Sequence, residues 1–153
     1  MKAGIALKGT AYAFTDPRFS DLFFQDDRIL LINPLTGTGY VAMSGICTHE
    51  GCSPEYFAKC IHSDSDNVCT APEGGTGDVD AGGDAGTMLL TDVLWCPCHQ
   101  SVFDAKTGVA TMGPAVASGN LQVMKTCVGG GYVFVFIPDN GSDGGSGGGS
   151  PTP

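Results

Sequence analysis

The stretch CPCHQSVFD, residues 96–104, sets two thiols and an imidazole within four positions and runs directly into an apolar, strand-like sequence. A second stretch, CTHEGC at 47–52, offers the same groups in Cys47, His49 and Cys52, and the two stretches hold two of the chain's three histidines. One thiolate and one imidazole from each would complete a four-ligand metal site. Zinc is the first alternative, because two cysteines and two histidines form a common structural zinc set. Zinc fingers pair Cys with Cys and His with His along the chain, whereas each stretch here carries a mixed pair. The spacing therefore argues against a finger.

Around these stretches, glycine, proline and short apolar runs dominate and no long segment has helical period. The pattern predicts an all-β fold, with strands over 10–14, 28–32, 39–43, 88–95, 101–103, 121–126 and 132–137. The run Asn33-Pro34-Leu35-Thr36-Gly37-Thr38-Gly39 reads as a hairpin loop. Asp16-Pro17 and Ser53-Pro54 each place a capping side chain before a proline, the signature of a short helix start.

Seven Lys and Arg against 16 Asp and Glu give a net charge of -9, which repels phosphate backbones and makes nucleic acid an unsuitable partner. Residues 60–92 hold seven of the acids (Asp64, Asp66, Glu73, Asp78, Asp80, Asp84 and Asp92) and no Lys or Arg, so the stretch reads as a solvated loop; the alternative is a docking surface. Residues 71–87 are too glycine-rich and acidic to bury much surface and read as a mobile excursion. The segment 138–153 is expected to be a disordered Gly/Ser-rich tail, leaving one domain over 1–137. No run of 18 apolar residues occurs, and the start MKAGIALKG lacks the apolar core of a signal peptide. The expectation is a soluble domain, or the soluble part of a protein anchored through a segment outside this sequence.

Seven cysteines cannot all be used by disulfides, because the count is odd. Cys60 and Cys69 lie nine apart in the insertion between the two motifs, where an oxidised pair would staple a loop without a core; the alternative is two exposed thiols. His62, between them, reads as a solvated side chain of an acidic loop. Cys127, at the end of an apolar strand, reads as a buried, inert thiol.

C-T-H-x-G-C followed by C-P-C-H-x-S resembles the Rieske iron-sulfur family, in its disulfide-containing branch of cytochrome bc and b6f complexes. The likeness is sharpest over residues 40–115. It implies a cluster-binding part at about 43–116, interrupted by the acidic insertion at about 60–87, with loops holding a 2Fe-2S cluster at the tip of small antiparallel sheets. Cys47 and Cys96 would bind one iron, and His49 and His99 the other. Neutral imidazoles in place of two thiolates remove negative charge, which raises the potential to about -150 to +300 mV from about -400 mV for all-cysteine plant-type clusters. Reduction raises imidazole basicity, so electron and proton uptake are coupled at His49 and His99.

The same resemblance implies a disulfide between Cys52 and Cys98, whereas the similar Rieske ferredoxins of ring-hydroxylating dioxygenases lack these cysteines. Ser101 matches a donor to a bridging sulfide, and Gly51 is expected at positive φ. Gly113, Pro114 and Ala115 match the start of the covering proline loop, which relatives continue with proline where this chain has Val116. Phe103 stands where high-potential relatives place a tyrosine.

By resemblance the function is electron transfer, as the soluble head of a quinol-oxidising complex. Quinol would donate a hydrogen bond to a cluster histidine, and the head would pass the electron to a c-type cytochrome. A cytochrome b subunit would be the other partner, with the head on the periplasmic side of a bacterial cytoplasmic membrane. The small subunit of an arsenite-oxidase-like molybdoenzyme is the first alternative, and a structural zinc module is one of another class.

Overall fold

The computed structural model describes residues 7–19, 24, 26–65, 68–72 and 86–138. Its elements in chain order are β1 (Thr10–Thr15), β2 (Arg28–Asn33), β3 (Val41–Ser44), β4 (Glu55–Ser63), β5 (Cys69–Thr70), β6 (Thr87–Trp95), β7 (Val102–Asp104), β8 (Ala110–Met112), α1 (Ala115–Ser118), β9 (Val123–Gly129) and β10 (Tyr132–Phe136). The strands form two antiparallel sheets of five, ordered β1-β2-β3-β9-β10 and β5-β4-β6-β7-β8. The fold is all-β. Because β3 and β9 are neighbours in the first sheet, the second sheet is an insertion between them, and the chain leaves and re-enters the base through the segments flanking it.

The apolar run of β2 is explained by burial on both faces. Leu30 and Ile32 pack with Met43, Cys47, Leu94, Cys96, Phe103, Ala105, Ala115 and Leu121, whereas Ile29 and Leu31 pack with Phe19, Ala42, Met124 and Val133. Alternation along the strand sends adjacent residues to opposite cores. The first of these cores holds Cys47 and Cys96, so the site cysteines rest on the main packing of the molecule.

Strands β4, β5 and β8 are not among those predicted. β4 and β5 occupy part of the stretch read as an insertion, where Cys60 and His62 fill the role of apolar residues: they are 0% and 2% exposed. His62 is thus buried instead of solvated, with its Nδ1 3.6 Å from Asp64 Oδ1. The pairing His62↔Cys69 places Cys60 and Cys69 close enough for their disulfide, with Cα atoms 5.5 Å apart. Cys127 departs from expectation in the opposite sense. It faces solvent, because β9 extends past the base core to Gly129.

Among the described residues, neither predicted helix start leads into a helix. At Asp16-Pro17 the Asp16 carboxylate accepts the Arg18 N–H at 3.0 Å and its carbonyl accepts the Phe19 N–H at 2.8 Å, which makes a turn. Ser53-Pro54 leads into β4, whose pairing with β6 from Glu55↔Trp95 outweighs the local signal. The 33–39 loop joins β2 and β3 as expected, with Gly37 and Gly39 at φ 85 and 89. Residues 73–85, which make up most of the predicted excursion, and residues 139–153 of the predicted tail lie outside the described residues.

Asp92, counted above with the solvated acids, is fully buried in β6 at φ 52. It accepts the backbone N–H groups of Leu35 and Thr36 at 2.6 and 2.9 Å, the Tyr56 hydroxyl at 2.6 Å and the Thr36 hydroxyl. One carboxylate therefore ties the β2–β3 loop of the base to β4 and β6 of the second sheet. Burial alone would raise its pKa, but the bonds from Thr36, Tyr56 and Leu35 outweigh burial and hold it below the usual 3.8. Its contribution to stability is complete above about pH 3.8, the unfolded value, and is lost as pH falls through the lowered folded value. Asp92→Asn turns an amide N–H₂ toward backbone donors. It is expected to cost about 1–3 kcal/mol in urea unfolding at pH 7, with less difference from wild type at pH 3.

Candidate metal centre

Two loops of matching backbone build the site. In the first, between β3 and β4, Cys47 N–H donates to Cys52 O at 2.7 Å and Gly51 N–H donates to Cys47 O at 2.9 Å. In the second, between β6 and β7, Cys96 N–H donates to Ser101 O and Gln100 N–H to Cys96 O, both at 2.8 Å. Each loop thus starts on a cysteine, and its fifth residue is left-handed: Gly51 at φ 73 and Gln100 at φ 60. Gly51 takes the positive φ predicted for it. Gln100 was not singled out, because glycine is the usual signal for that conformation.

The disulfide Cys52–Cys98 joins the two loops, with Cα atoms 6.5 Å apart. Cys47 and Cys96 remain free and buried. The imidazoles of His49 and His99 meet edge to face with ring centroids 4.7 Å apart. His99 is partly open to solvent, its side chain 38% exposed. The structure therefore brings together Cys47, His49, Cys96 and His99, with Cys52 and Cys98 beside them.

A third segment covers the site. Gly113, at φ 76, leaves no room for a side chain: a Cβ there would lie 2.8 Å from Ser101 Cα. Pro114 at φ -66 leads into α1, and Ala115 is buried with Cys47 and Cys96. Ser101 Oγ, fully buried, accepts the Ala115 N–H at 3.1 Å, which leaves its hydroxyl hydrogen to be donated elsewhere. Thr48 Oγ1 donates to Gly119 O at 2.7 Å and ties the other end of the cover to the first loop. The Val116 N–H, which a proline would lack, donates to Gly113 O at 3.2 Å. Thr48 went unnoticed in the sequence, since nothing local marks a threonine that bonds 71 residues away.

Burial pushes the Cys47 thiol up to about 11; the N–H groups of His49 and Glu50 work against that shift and the adjacent Cys96 adds to it. A buried thiol of this kind gives up its proton to a bound metal, whose charge replaces the lost hydration. His49 Nδ1 and His99 Nδ1 are both buried, and neither has a hydrogen-bond partner in the protein. Two orphaned ring nitrogens would be costly unless a ligand satisfies them. Two buried thiols and two inward-facing imidazole nitrogens fit a group with sulfur-liking and nitrogen-liking metal positions. One residue near the histidines was not anticipated: Glu50, whose Oε2 lies 3.3 Å from His99 Nε2.

An all-β domain with mixed Cys/His loops, a tying disulfide and a cover has the donor set for a metal group. The Rieske [2Fe-2S] domain family matches residues 15–128, and the chain belongs to that family. Its cofactor is a 2Fe-2S cluster, not zinc. No curated protein matches the chain. Among solved structures, the complex of reduced oxygenase and oxidized ferredoxin in carbazole 1,9a-dioxygenase is similar at 19% identity and a TM-score of 0.52, over 88% of this chain and 96% of that one. The ferredoxin of carbazole 1,9a-dioxygenase from Nocardioides aromaticivorans IC177 is similar at 18% identity and a TM-score of 0.48, over 88% and 91%. At such identities the likeness concerns the fold.

Proposed function

We propose that this Rieske electron-transfer protein is the head of a quinol-oxidising cytochrome bc-type complex. The observation that carries the reading is the Cys52–Cys98 disulfide, which ties the two site loops and which the sequence resemblance expects in this branch, not in the ferredoxins of ring-hydroxylating dioxygenases. In this reading Cys47 and Cys96 hold one iron, and His49 and His99 hold the other through Nδ1. The cluster supplies one-electron redox chemistry. His99 and His49 present their outer edges to the partner, Ser101 donates its hydroxyl hydrogen toward a cluster sulfide, and the 113–119 cover excludes water. A cytochrome b subunit lies on the donor side and a c-type cytochrome on the acceptor side, outside a bacterial cytoplasmic membrane where disulfides persist.

Isolation of the native assembly from membranes tests this. Co-purifying b-type haem supports it; molybdenum without haem b moves the chain to an arsenite-oxidase-like enzyme, a reading that Phe103 favours. Phe103 is fully buried in the same cluster as Cys47 and Cys96 and offers no hydroxyl to a ligand sulfur. Phe103→Tyr is therefore expected to raise the midpoint potential in protein-film voltammetry, since a donor to ligand sulfur stabilises the reduced state. An unchanged potential would remove Phe103 as a tuning residue.

A further inference from the structure

We propose that Glu50 sets the potential of the cluster from its solvent edge and makes this a lower-potential member of its class. The inference rests on the ligand set given above. Glu50 touches that set twice. Its backbone N–H favours the charged form of the Cys47 thiol, and its carboxylate reaches to within 3.3 Å of His99 Nε2. Groups on Glu50 thus act on one cysteine and one histidine of that set.

The two contacts act in opposite directions. A backbone N–H on a ligand sulfur favours the more negative, reduced cluster. A carboxylate beside a ligand imidazole disfavours it, because an added electron meets a fixed negative charge. The backbone contact is available to any residue at this position in the loop, so the side chain alone distinguishes glutamate.

Position 50 is constrained. Its neighbours Cys47, Gly51 and Cys52 are fixed by the paired backbone bonds of the loop, and Gly51 at φ 73 ends the turn immediately after it. Ligand-capable atoms of His49, Glu50 and His99 all lie within 4.8 Å of one another. Among the described residues no Lys or Arg forms an ion pair with Glu50. Its side chain is 58% exposed, which leaves the charge open to screening by salt. The effect has the same sign as the missing hydroxyl at Phe103, and together they suit a low-potential quinol of the menaquinol type as donor.

The test is voltammetry of the cluster-loaded protein at one pH for wild type, Glu50→Gln and Glu50→Lys, at low and high ionic strength. The midpoint is expected to rise in the order Glu, Gln, Lys. At a fixed poise and low salt, Glu50→Gln should lower the oxidised-to-reduced ratio by about three- to tenfold. The spread between variants should contract at high salt. With the reduced-state EPR signal intact in all three proteins, equal midpoints or the reverse order would overturn the role of Glu50 and leave the ligand set standing. A wild-type protein without the spectrum of a histidine-ligated 2Fe-2S cluster would overturn both.

Discussion

Cys96→Ser and Cys47→Ser are each expected to yield a protein without the visible absorption and the reduced-state EPR signal of a 2Fe-2S cluster. Both thiols are about 1% exposed and lie in the main core with Leu94, Phe103 and Ala115. Serine is nearly isosteric, so the sheets have little reason to rearrange, and far-UV circular dichroism should retain its strand signature. What disappears is the thiolate, which would be the iron ligand in the proposed set. Serine also leaves a hydroxyl in a site that burial already makes hostile to charge, as the raised Cys47 thiol shows. Iron analysis should fall from two per chain toward none. Full iron content with an unaltered EPR spectrum in either variant would exclude that cysteine as a ligand.

Breaking the two disulfides should have unequal effects. Cys52–Cys98 closes a separation of 46 residues and Cys60–Cys69 one of nine. Loop-closure entropy assigns the first about 4 kcal/mol and the second about 2.5 kcal/mol. Cys52→Ser should therefore lower stability in urea more than Cys60→Ser. The larger difference lies in the cluster. Cys52–Cys98 fastens the loops that carry His49 and His99, whereas Cys60–Cys69 fastens β5 to β4, away from both loops. Cys52→Ser or Cys98→Ser should bleach rapidly in air and shift in potential, while Cys60→Ser keeps a normal spectrum. Equal bleaching in both variants would show that the first bridge has no special role at the site.

The site was largely legible because its chemistry is written in rare residues at short spacing. Cys47, His49, Cys96 and His99 come from two hexapeptides, and the structure gathers them along with the Cys52–Cys98 bridge. Strands with strong apolar patterns were legible too; β2 and β6 lie within a residue of their predicted ends. β4 was not, because its inward positions include Cys60 and His62, which pack there as half of a disulfide and as a buried imidazole near Asp64. Asp92 misled for a related reason. An aspartate in an acidic run looks solvated, and the donors that allow its burial, on Leu35, Thr36 and Tyr56, lie far away in sequence. Thr48 and Glu50 share that dependence, since their partners Gly119 and His99 belong to other segments.

Histidine-coupled redox chemistry is the central claim, and a redox titration of the isolated domain from about pH 6 to about pH 11 tests it most directly. The account predicts a midpoint that falls as pH rises through this range. A midpoint that stays level over the whole range would contradict it.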